Sequence, residues 1–449
     1  MTENGEKFRK DLNNRIRANT PIMDKVNLEL EAELIVTQIQ DSAKKNTPLI
    51  KTALLAPTIP LEIRALLAEK RRARGRWQKT RSEANKAELN RLTNKLTSEL
   101  WRIKNNKTEE FLKTATAKRD TDYALWKATK YLKRTITHSP PIRNSKGDWA
   151  MCEADKAEVF RRHLEDNFRP TVEEERERRM LHELVDLDPK ESLEIRPISQ
   201  KELVDLIRYK VKNKKAPGMD MITGEILKQL PGKAAAKLVK IFNAALTLCH
   251  IPKSWKVAEV IVIPKAGKPL ELASSYRPIS LLSTIGKLFE RLYLKRLVPL
   301  IEERKSIPNH QFGFRSSHST IEQVHRFTDK IERGLEEKQV CSAVFLDVAQ
   351  AFDRVWHLGL LYKIKKLLPE NHYWILKSYL ECRSFRVRFN GAFSDFSTIK
   401  AGVPQGSVLG PYLYNLFTHD IPCDNNSMME TFADDTGIAS LGRTLTEAN

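Results

Sequence analysis

Cysteine is sparse in this chain, and long apolar segments are missing. The five cysteines among 449 residues are scattered and form no Cys-x-x-Cys pair. Neither a zinc site nor a disulfide framework is therefore indicated, and a reducing compartment fits best. No apolar run is long enough to cross a bilayer, and the polar, charged N-terminus does not have the pattern of a secretory signal. The sequence thus predicts a protein that is neither secreted nor inserted in a membrane.

Acidic residues are also in deficit, because 57 Asp and Glu stand against 77 Lys and Arg and leave a formal net charge of +20. Such an excess favours a polyanionic partner, with nucleic acid ahead of an acidic membrane surface, although basic charge also serves solubility. Hydrophobic residues make up 41% of the chain, enough to bury a real core, and the length predicts two or three domains.

Residues 1–135 contain little glycine and are predicted to form a basic, mostly α-helical region. Its most basic stretch, Lys70 to Arg81, offers candidate nucleic-acid contacts at Arg71, Arg72, Arg74 and Arg76, with Trp77 able to stack on a base. A solvated helix face with an inward-packed Trp is an equally good interpretation, and a localisation signal is a third.

Turn residues at 138–148 mark a boundary, and residues 136–195 are predicted to be a linker with one short helix. The Glu-rich stretch 172–190 is expected to be an exposed or mobile connector within it. Residues 196–449 mix helix and strand. This last region opens with a capping-box helix over 199–211 and includes a hairpin whose turn is Asn390-Gly391.

A carboxylate ends an apolar run in the middle of this last region. Ser342 to Leu346 predicts a strand buried on both faces, Asp347 follows it, and residues 349–361 are predicted to be helical. A carboxylate at the end of a buried strand is costly unless a cation meets it there. Taken alone, an Asp at such a junction is more often a helix cap, so Asp347 needs a partner to indicate a site.

That partner is supplied by Asp434 and Asp435, which lie between apolar runs at 428–433 and 436–441. The pattern predicts a hairpin with acids at its tip. Asp347 and Asp434, with Asp435 beside them, are hard oxygen ligands suited to Mg²⁺ or Mn²⁺. Two such ions about 4 Å apart can activate a 3′-hydroxyl and stabilise a leaving pyrophosphate.

Four loops or turns carry residues suited to a nucleotide or nucleic-acid ligand. Residues 401–411 contain three Gly and two Pro, and this glycine content lets the backbone approach a ligand closely. Basic turns at 212–220 and 264–268 could neutralise a triphosphate. In the loop 311–320, aromatics alternate with Gly and Arg, a pattern that fits either packing against template bases or a plain structural turn.

Three of these segments, in this order, resemble the A, B and C motifs of reverse transcriptases from non-LTR retrotransposons. They are Phe345-Leu-Asp-Val-Ala-Gln-Ala-Phe-Asp-Arg-Val-Trp-His357, Gly402-Val-Pro-Gln-Gly-Ser-Val-Leu-Gly-Pro411 and Phe432-Ala-Asp-Asp435. The finger motifs are similar as well: Lys215-Ala-Pro-Gly-Met-Asp220, Ile263-Pro-Lys-Ala-Gly-Lys268, Tyr276-Arg-Pro-Ile-Ser280 and Gln311-Phe-Gly-Phe-Arg315. The best match is to insect elements of the jockey type.

The resemblance implies a role for each matching residue. Asp347, Asp434 and Asp435 would be the catalytic acids, and two Mg²⁺ or Mn²⁺ ions would be held by Asp347, Asp434 and the carbonyl of Val348. The nucleotide would be bound by Lys265, Arg277, Val348, Phe352, Gln405 and Gly406. Phe352 matches the aromatic that crowds a ribose 2′-hydroxyl, with a core Phe as its plainer interpretation. Arg315 is a candidate for the template side.

The implied fold class is α+β, with the fingers and palm of a right-hand polymerase after the helical region. The implied partners are an RNA template, a DNA primer or target, deoxynucleoside triphosphates and an element-encoded RNA-binding protein, with no membrane. Nucleus and cytoplasm are the locations expected for the family.

The chain departs from the family pattern in three ways. Met219 and Met221 replace the usual Pro and Gly, and we expect neither an endonuclease before the polymerase nor a thumb after it in this chain. The palm sheet is accordingly expected to have an unpaired edge. The function implied is RNA-directed DNA synthesis, and the alternative is a catalytically silent nucleic-acid-binding remnant.

Overall fold

The computed structural model describes residues 3–17, 21–47, 60–114, 139–422 and 427–448. The chain divides into two compact units, one formed by Met1–Pro48 together with Pro140–Asn449 and the other by Leu49–Ser139. None of the helices in the described part of the chain combines the length and apolar character that a bilayer span requires.

The α-helices are numbered in chain order over the described residues. They are α1 Glu3–Arg15, α2 Lys25–Asn46, α3 Leu61–Thr80, α4 Glu83–Thr114, α5 Glu153–Asn167, α6 Glu174–Asp186, α7 Gln200–Lys210, α8 Gly224–Leu227, α9 Gly232–Thr247, α10 Lys253–Lys256, α11 Thr284–Glu303, α12 Thr320–Glu336, α13 His357–Leu367, α14 Glu370–Leu380, α15 Gly410–Phe417 and α16 Leu445–Ala448.

The β-strands are numbered in the same way. They are β1 Ile142–Arg143, β2 Trp149–Ala150, β3 Val257–Pro264, β4 Tyr276–Leu281, β5 Val340–Leu346, β6 Ser384–Phe389, β7 Ala392–Phe393, β8 Ser397–Thr398, β9 Ser427–Phe432 and β10 Asp435–Gly442. A helical N-terminal region followed by mixed helix and strand is therefore confirmed.

The unit formed by residues 49–139 is described as the helical pair α3 and α4. The pair is joined by apolar contacts of Ile63, Leu66 and Ala73 with Leu92 and Leu96. Apolar side chains three and four residues apart share one helix face, which leaves the basic side chains for the other faces. The α-helical character predicted for the basic stretch is thereby confirmed up to Thr80, where α3 ends.

Helices α1 and α2 pack in the other unit. Leu12, Leu28 and Ile35 are fully or almost fully buried in the same apolar cluster as Leu238 and Ile241 of α9. Lys237 of α9 also forms an ion pair with Glu31 of α2, and both side chains are buried. The residues 1–135 expected to form one region thus fall into two groups in the structure.

The larger sheet has strand order β4-β3-β6-β7, with β8 also paired to β6. β3 and β6 run parallel, and the other pairs are antiparallel. The turn between β6 and β7 has positive φ at Asn390 (47°) and Gly391 (93°), which a type I′ hairpin requires, so that prediction is confirmed. Helix α5 covers this sheet through Phe160 and Phe168, whose rings lie 5.1 Å from those of Phe389 and Phe385 respectively.

The smaller sheet has strand order β5-β10-β9, and both pairs are antiparallel. β9 and β10 form the predicted acidic hairpin. The expectation that β5 is buried on both faces is wrong, because Val344, Phe345 and Leu346 are 53%, 75% and 48% exposed. β5 is an edge strand that pairs only with β10 among the described residues, so much of its apolar surface stays in contact with solvent.

Two further sequence predictions are corrected by the structure. The helix expected over residues 349–361 begins only at His357, because the chain first turns: Gln350 has φ 56° and its carbonyl accepts from the Asp353 amide at 2.9 Å. The stretch 172–190 is largely exposed, as expected, but it forms helix α6 with a buried Leu184, so residues 136–195 contain a second helix where one was predicted. Apolar residues spaced along a charged segment were the missed signal of that helix.

Candidate active site

One cavity of about 890 Å³ collects most of the side chains that the sequence singled out. Its walls come from both sheets, the turn after β5 and the loop before α15. The predicted site residues among its lining are Lys265, Arg277, Asp347, Val348, Phe352, Gln405, Gly406 and Asp434. Residues 169 positions apart in sequence, Lys265 and Asp434, thus meet at one place because the fold brings the two sheets to the same cavity.

The three acids lie at one end of the smaller sheet. Leu346 pairs with Thr436, so Asp347 follows the last paired residue of β5 while Asp435 is the first residue of β10. Asp434 occupies the turn between β9 and β10. Burial raises the pKa of the Asp434 carboxyl, and the negative charges of Asp435 and Asp347 raise it further. The acids are therefore close enough to repel one another.

The donor set at this end suits a hard divalent cation bound jointly with a substrate. Among the described residues, no group of three or more Asp, Glu, His or Cys side chains converges closely enough to enclose a metal ion by itself. Mg²⁺ is commonly held by one or two carboxylates, with substrate phosphates and water supplying its other ligands. Asp347 and Asp434, together with the Val348 carbonyl on the same cavity wall, fit that incomplete kind of site.

The glycine-rich loop 401–411 is fastened to the turn that follows β5. The Gly402 amide donates to the Val355 carbonyl at 2.7 Å, and the Val403 amide donates to the Phe352 carbonyl at 2.8 Å. Gly402 has φ 92°, and a Cβ there would lie 2.5 Å from the Asp353 carbonyl oxygen. Glycine is required at this position both for its conformation and for the close approach of the two backbones.

Gln405 and Gly406 continue the same loop into the cavity. The Gln405 side-chain amide donates to Asp353 Oδ1 at 2.8 Å, and the backbone carbonyl of Gln405 accepts from the backbone amide of Ser280 in β4 at 2.9 Å. Gly406 has φ 118°, and a Cβ there would lie 2.7 Å from the Ser280 carbonyl oxygen. The loop is thus hydrogen-bonded to the turn after β5 on one side and to the larger sheet on the other.

Asp353 anchors Gln405 from a buried position. It is 5% exposed, and burial raises the pKa of its carboxyl to about 6, while the Gln405 hydrogen bond and the charge of Lys265 oppose that rise. Asp353 was part of the quoted motif but was not among the predicted site residues. Its signal in the sequence is a carboxylate within an otherwise apolar turn.

The Phe352 ring is held between two other aromatic residues. It stacks on Tyr414 of α15 with a centroid distance of 4.7 Å and meets Phe314 edge-on at 6.1 Å. Phe314 also lines the cavity. The structure places Phe352 in the turn before α13 rather than on a helix, at the cavity wall and against this aromatic pair.

Two cations face the cavity from the larger sheet. Lys265 follows β3, and its ammonium donates to the Ser274 carbonyl at 2.8 Å, while Arg277 lies exposed on β4. Lys268 is not among the residues that line the cavity. Of the two lysines in this turn, Lys265 is therefore the one that the structure brings to the same cavity as the acids.

None of the predicted nucleic-acid contacts is among the described residues that line this cavity. Arg71, Arg72, Arg74 and Arg76 are exposed on α3 of the other unit. The side chain of Arg315 is 9% exposed, and its guanidinium pairs with Glu302 at 2.7 Å. It also donates to the carbonyl oxygens of Pro308 and Gln311, so its contacts favour a structural role over the predicted template contact.

Sequence analysis did not identify Glu290 as part of the site. This buried carboxylate of α11 accepts from the amides of Val408 and Leu409 at 2.6 and 3.0 Å, just before α15 begins at Gly410. A negative charge at these amides satisfies donors that lie at the start of a helix. The only signal in the sequence was a Glu that directly follows Phe289 and stands two positions before Leu292, in a helix with many apolar residues.

Comparison with known proteins agrees with this geometry. The family model of reverse transcriptase (RNA-dependent DNA polymerase) matches residues 263–448. The chain is 39% identical, over 98% of its length, to a probable RNA-directed DNA polymerase from transposon X-element of Drosophila melanogaster. It is 40% identical over 96% of its length to the corresponding protein from transposon BS, and 36% identical over 98% to that from mobile element jockey, both of the same organism.

The chain spans 49% of the length of each of these three relatives. All three relatives are named as RNA-directed DNA polymerases, in agreement with the matched family model. By family, the chain belongs to the reverse transcriptases, RNA-directed DNA polymerases, and among these to the jockey-type non-LTR retrotransposon proteins.

Proposed function

We propose that this chain carries the nucleotidyl-transfer site of an RNA-directed DNA polymerase that extends a primer 3′-hydroxyl on an RNA template. The observation that carries the proposal is a single cavity lined by Asp347 and Asp434 as well as by Lys265 and Arg277. A nucleoside triphosphate is a polyanion that needs cations for its phosphates and a metal site at its reacting end. The cavity offers both.

The residues divide the work according to their positions. Lys265 and Arg277 bind and partly neutralise the triphosphate, and Gln405 and Gly406 present the loop that lies against the incoming nucleotide. Asp347, Asp434 and the Val348 carbonyl would hold two Mg²⁺ or Mn²⁺ ions, with Asp435 as the neighbouring catalytic acid. When bound, the ions would lower the pKa of the attacking hydroxyl and stabilise charge on the leaving pyrophosphate.

Phe352 selects the sugar of the incoming nucleotide. Its ring lines the cavity and is held by Tyr414 and Phe314, so it has little room to move aside for an added hydroxyl. A steric contact of this kind favours deoxynucleotides over ribonucleotides. The proposed substrate is therefore a deoxynucleoside triphosphate.

We further propose that residues 196–449 form fingers and part of a palm of the right-hand polymerase type. Helices α1 and α2 and residues 140–195, which lie in the same compact unit, would be parts of this body rather than an accessory region and a linker, and residues 49–139 would be a basic accessory region. In that region Arg71, Arg72, Arg74 and Arg76 would bind nucleic-acid phosphates, and Arg315 stays a weaker template candidate because of its pairing with Glu302. The partners would be an RNA template, a DNA primer or target and an element-encoded RNA-binding protein, in nucleus and cytoplasm.

Extension of a labelled primer on RNA by the Asp434→Asn variant tests the catalytic proposal. Removing one ligand charge takes away several kcal/mol of transition-state stabilisation, so we expect a rate loss of about 10³-fold or more. Asp395→Asn, at an exposed site in the turn after β7, is the matched control and should keep the parental rate.

Equal extension by the parental chain and Asp434→Asn would contradict the proposal. If neither extended the primer while both bound RNA in a salt-sensitive manner, the silent nucleic-acid-binding remnant would be supported instead. Ribonucleotides incorporated as readily as deoxynucleotides would contradict the role given to Phe352.

A further inference from the structure

The Gln311 side chain contacts the backbone of Ala433, the residue just before Asp434, at two points. Its Oε1 accepts from the Ala433 amide at 2.9 Å, and its Nε2 donates to the Ala433 carbonyl at 3.1 Å. Gln311 is 3% exposed, so water does not compete for these bonds. A primary amide that bonds both groups of one residue fixes the orientation of that residue more firmly than a single bond would.

The Ala433 backbone has a conformation that needs such support. Its φ is 62°, in the left-handed region that an L-residue with a Cβ adopts only at an energetic cost. Asp434 follows directly, so the direction of its carboxylate depends on this φ. A relaxed Ala433 would turn Asp434 away from Asp347, although β9 and β10 could still pair.

Gln311 is itself held in place from two directions. Its Oε1 also accepts from the Gly313 amide at 2.8 Å, and the Gly313 carbonyl accepts from Asn415 of α15, a fully buried residue, at 2.8 Å. A Cβ on Gly313 would lie 2.2 Å from the Ala433 nitrogen, so the two backbones touch. The Phe312 amide in addition donates to the Thr431 carbonyl of β9 at 2.9 Å.

We propose that Gln311 is a positioning residue that holds the Ala433 turn in its left-handed conformation and thereby aims Asp434 at the reacting phosphate. The proposal rests on the nucleotidyl-transfer function proposed above. It assigns to the loop 311–315 a role on the catalytic side, distinct from the template contact considered for Arg315. The contact also links the acidic hairpin to α15, which follows the glycine-rich loop.

Hydrogen exchange tests the contact without any need for activity. In the Gln311→Ala variant the Ala433 amide loses its acceptor, so we expect peptides that span Phe432 to Thr436 to exchange about tenfold faster or more. Peptides from β3 and β4 should keep their parental exchange rates. Unchanged exchange across Phe432 to Thr436 would overturn the proposal, whatever the activity.

Primer extension tests the consequence. Misdirecting a reacting group by about 1 Å can cost up to 10²-fold in rate, so we expect kcat to fall roughly 10- to 100-fold in Gln311→Ala. The KM for deoxynucleotide should change little, because Lys265 and Arg277 are untouched. Equal losses in kcat and in primer–template binding would indicate general unfolding and contradict a positioning role.

Gln323→Ala is the matched control. Gln323 of α12 is another buried glutamine, and its Nε2 donates to the carbonyls of His310 and Thr431 at 2.7 and 3.2 Å, but it does not contact Ala433 in the described structure. The Gln323→Ala variant should lower the free energy of unfolding about as much as Gln311→Ala does, but its kcat should stay within about threefold of the parental value. Equal kcat losses in both variants would overturn the proposal. Inactivity of the parental chain would count against the proposed function alone, since the exchange experiment would still decide the role of Gln311.

Discussion

The two sheets that line the cavity differ sharply in how they are covered. In the larger sheet, Phe385 and Val387 of β6 are fully buried, with the Phe168 ring packed on Phe385. In the smaller sheet, Phe345 of β5 is 75% exposed and the strand pairs on one edge only among the described residues. The sheet that carries the proposed phosphate-binding cations is therefore a packed scaffold, while the sheet that carries the acids depends on contacts from neighbouring loops.

This difference shows that the interactions that bury a sheet need not be the ones that orient its functional side chains. The acids lie at the end of an open sheet, yet the turn after Asp347 is fastened by backbone hydrogen bonds to the glycine-rich loop, and the turn before Asp434 is fastened by the Gln311 side chain. Hydrogen bonds to a fixed neighbour can orient a side chain where apolar packing does not.

Truncating one phenylalanine in each sheet tests this difference in burial most directly. Phe385→Ala removes a fully buried ring and should lower the free energy of unfolding by about 3–5 kcal/mol. Phe345→Ala removes a mostly exposed ring whose described ring contact is with Phe327, and should cost less than about 1 kcal/mol. Urea denaturation of the two variants measures both values. Similar losses would mean that β5 is covered in solution and would contradict the comparison.

The pH dependence of stability tests the contribution of Asp353, which joins the turn after β5 to the glycine-rich loop by accepting a hydrogen bond from Gln405. Its folded-state pKa of about 6 lies above the ordinary Asp value of 3.8, so the stability that this carboxyl contributes is present below pH 4 and is lost as the pH rises through 6. The shift corresponds to about 3 kcal/mol. The free energy of unfolding of Asp353→Asn, relative to that of the parent, should therefore rise by up to this amount between pH 4 and pH 7.

Unfolding free energies of the parent and Asp353→Asn at both pH values give the measurement. The control variant Asp395→Asn, at an exposed site, should differ from the parent in unfolding free energy by the same amount at both pH values. A difference between parent and Asp353→Asn that does not change with pH would show that the Asp353 carboxyl titrates in the folded chain as it does in the unfolded chain.

The smallest expected effect concerns Phe352, which faces the cavity from the turn between the two sheets. Phe352→Val opens space beside the ribose and should raise ribonucleotide use relative to deoxynucleotide use by about 10- to 100-fold in kcat/KM. Competition between the two nucleotide types during primer extension measures this ratio. Phe396→Val, an exposed aromatic substitution, should leave it unchanged. An unaltered ratio in Phe352→Val would assign sugar selection to another residue.

Local pattern was sufficient for several elements. The Ser199–Glu202 capping box, the Asn390-Gly391 turn and the β9–β10 hairpin all lie where the sequence predicts them, because each depends on residues within a few positions of one another. The helix expected over 349–361 was wrong for the complementary reason. Its first residues form turns whose backbone bonds go to a loop fifty residues away, which no local pattern records.

By itself, the sequence determined the helical and mixed regions, the acids at 347, 434 and 435, and the likeness that points to the family. These follow from short-range periodicity, turn chemistry and motif order. Only the tertiary structure decided that Lys265 rather than Lys268 joins the acids at the cavity, that β5 is an open edge, and that Gln311 supports the turn before Asp434. Each of these depends on contacts between residues far apart in sequence, and such contacts exist only once the chain has folded.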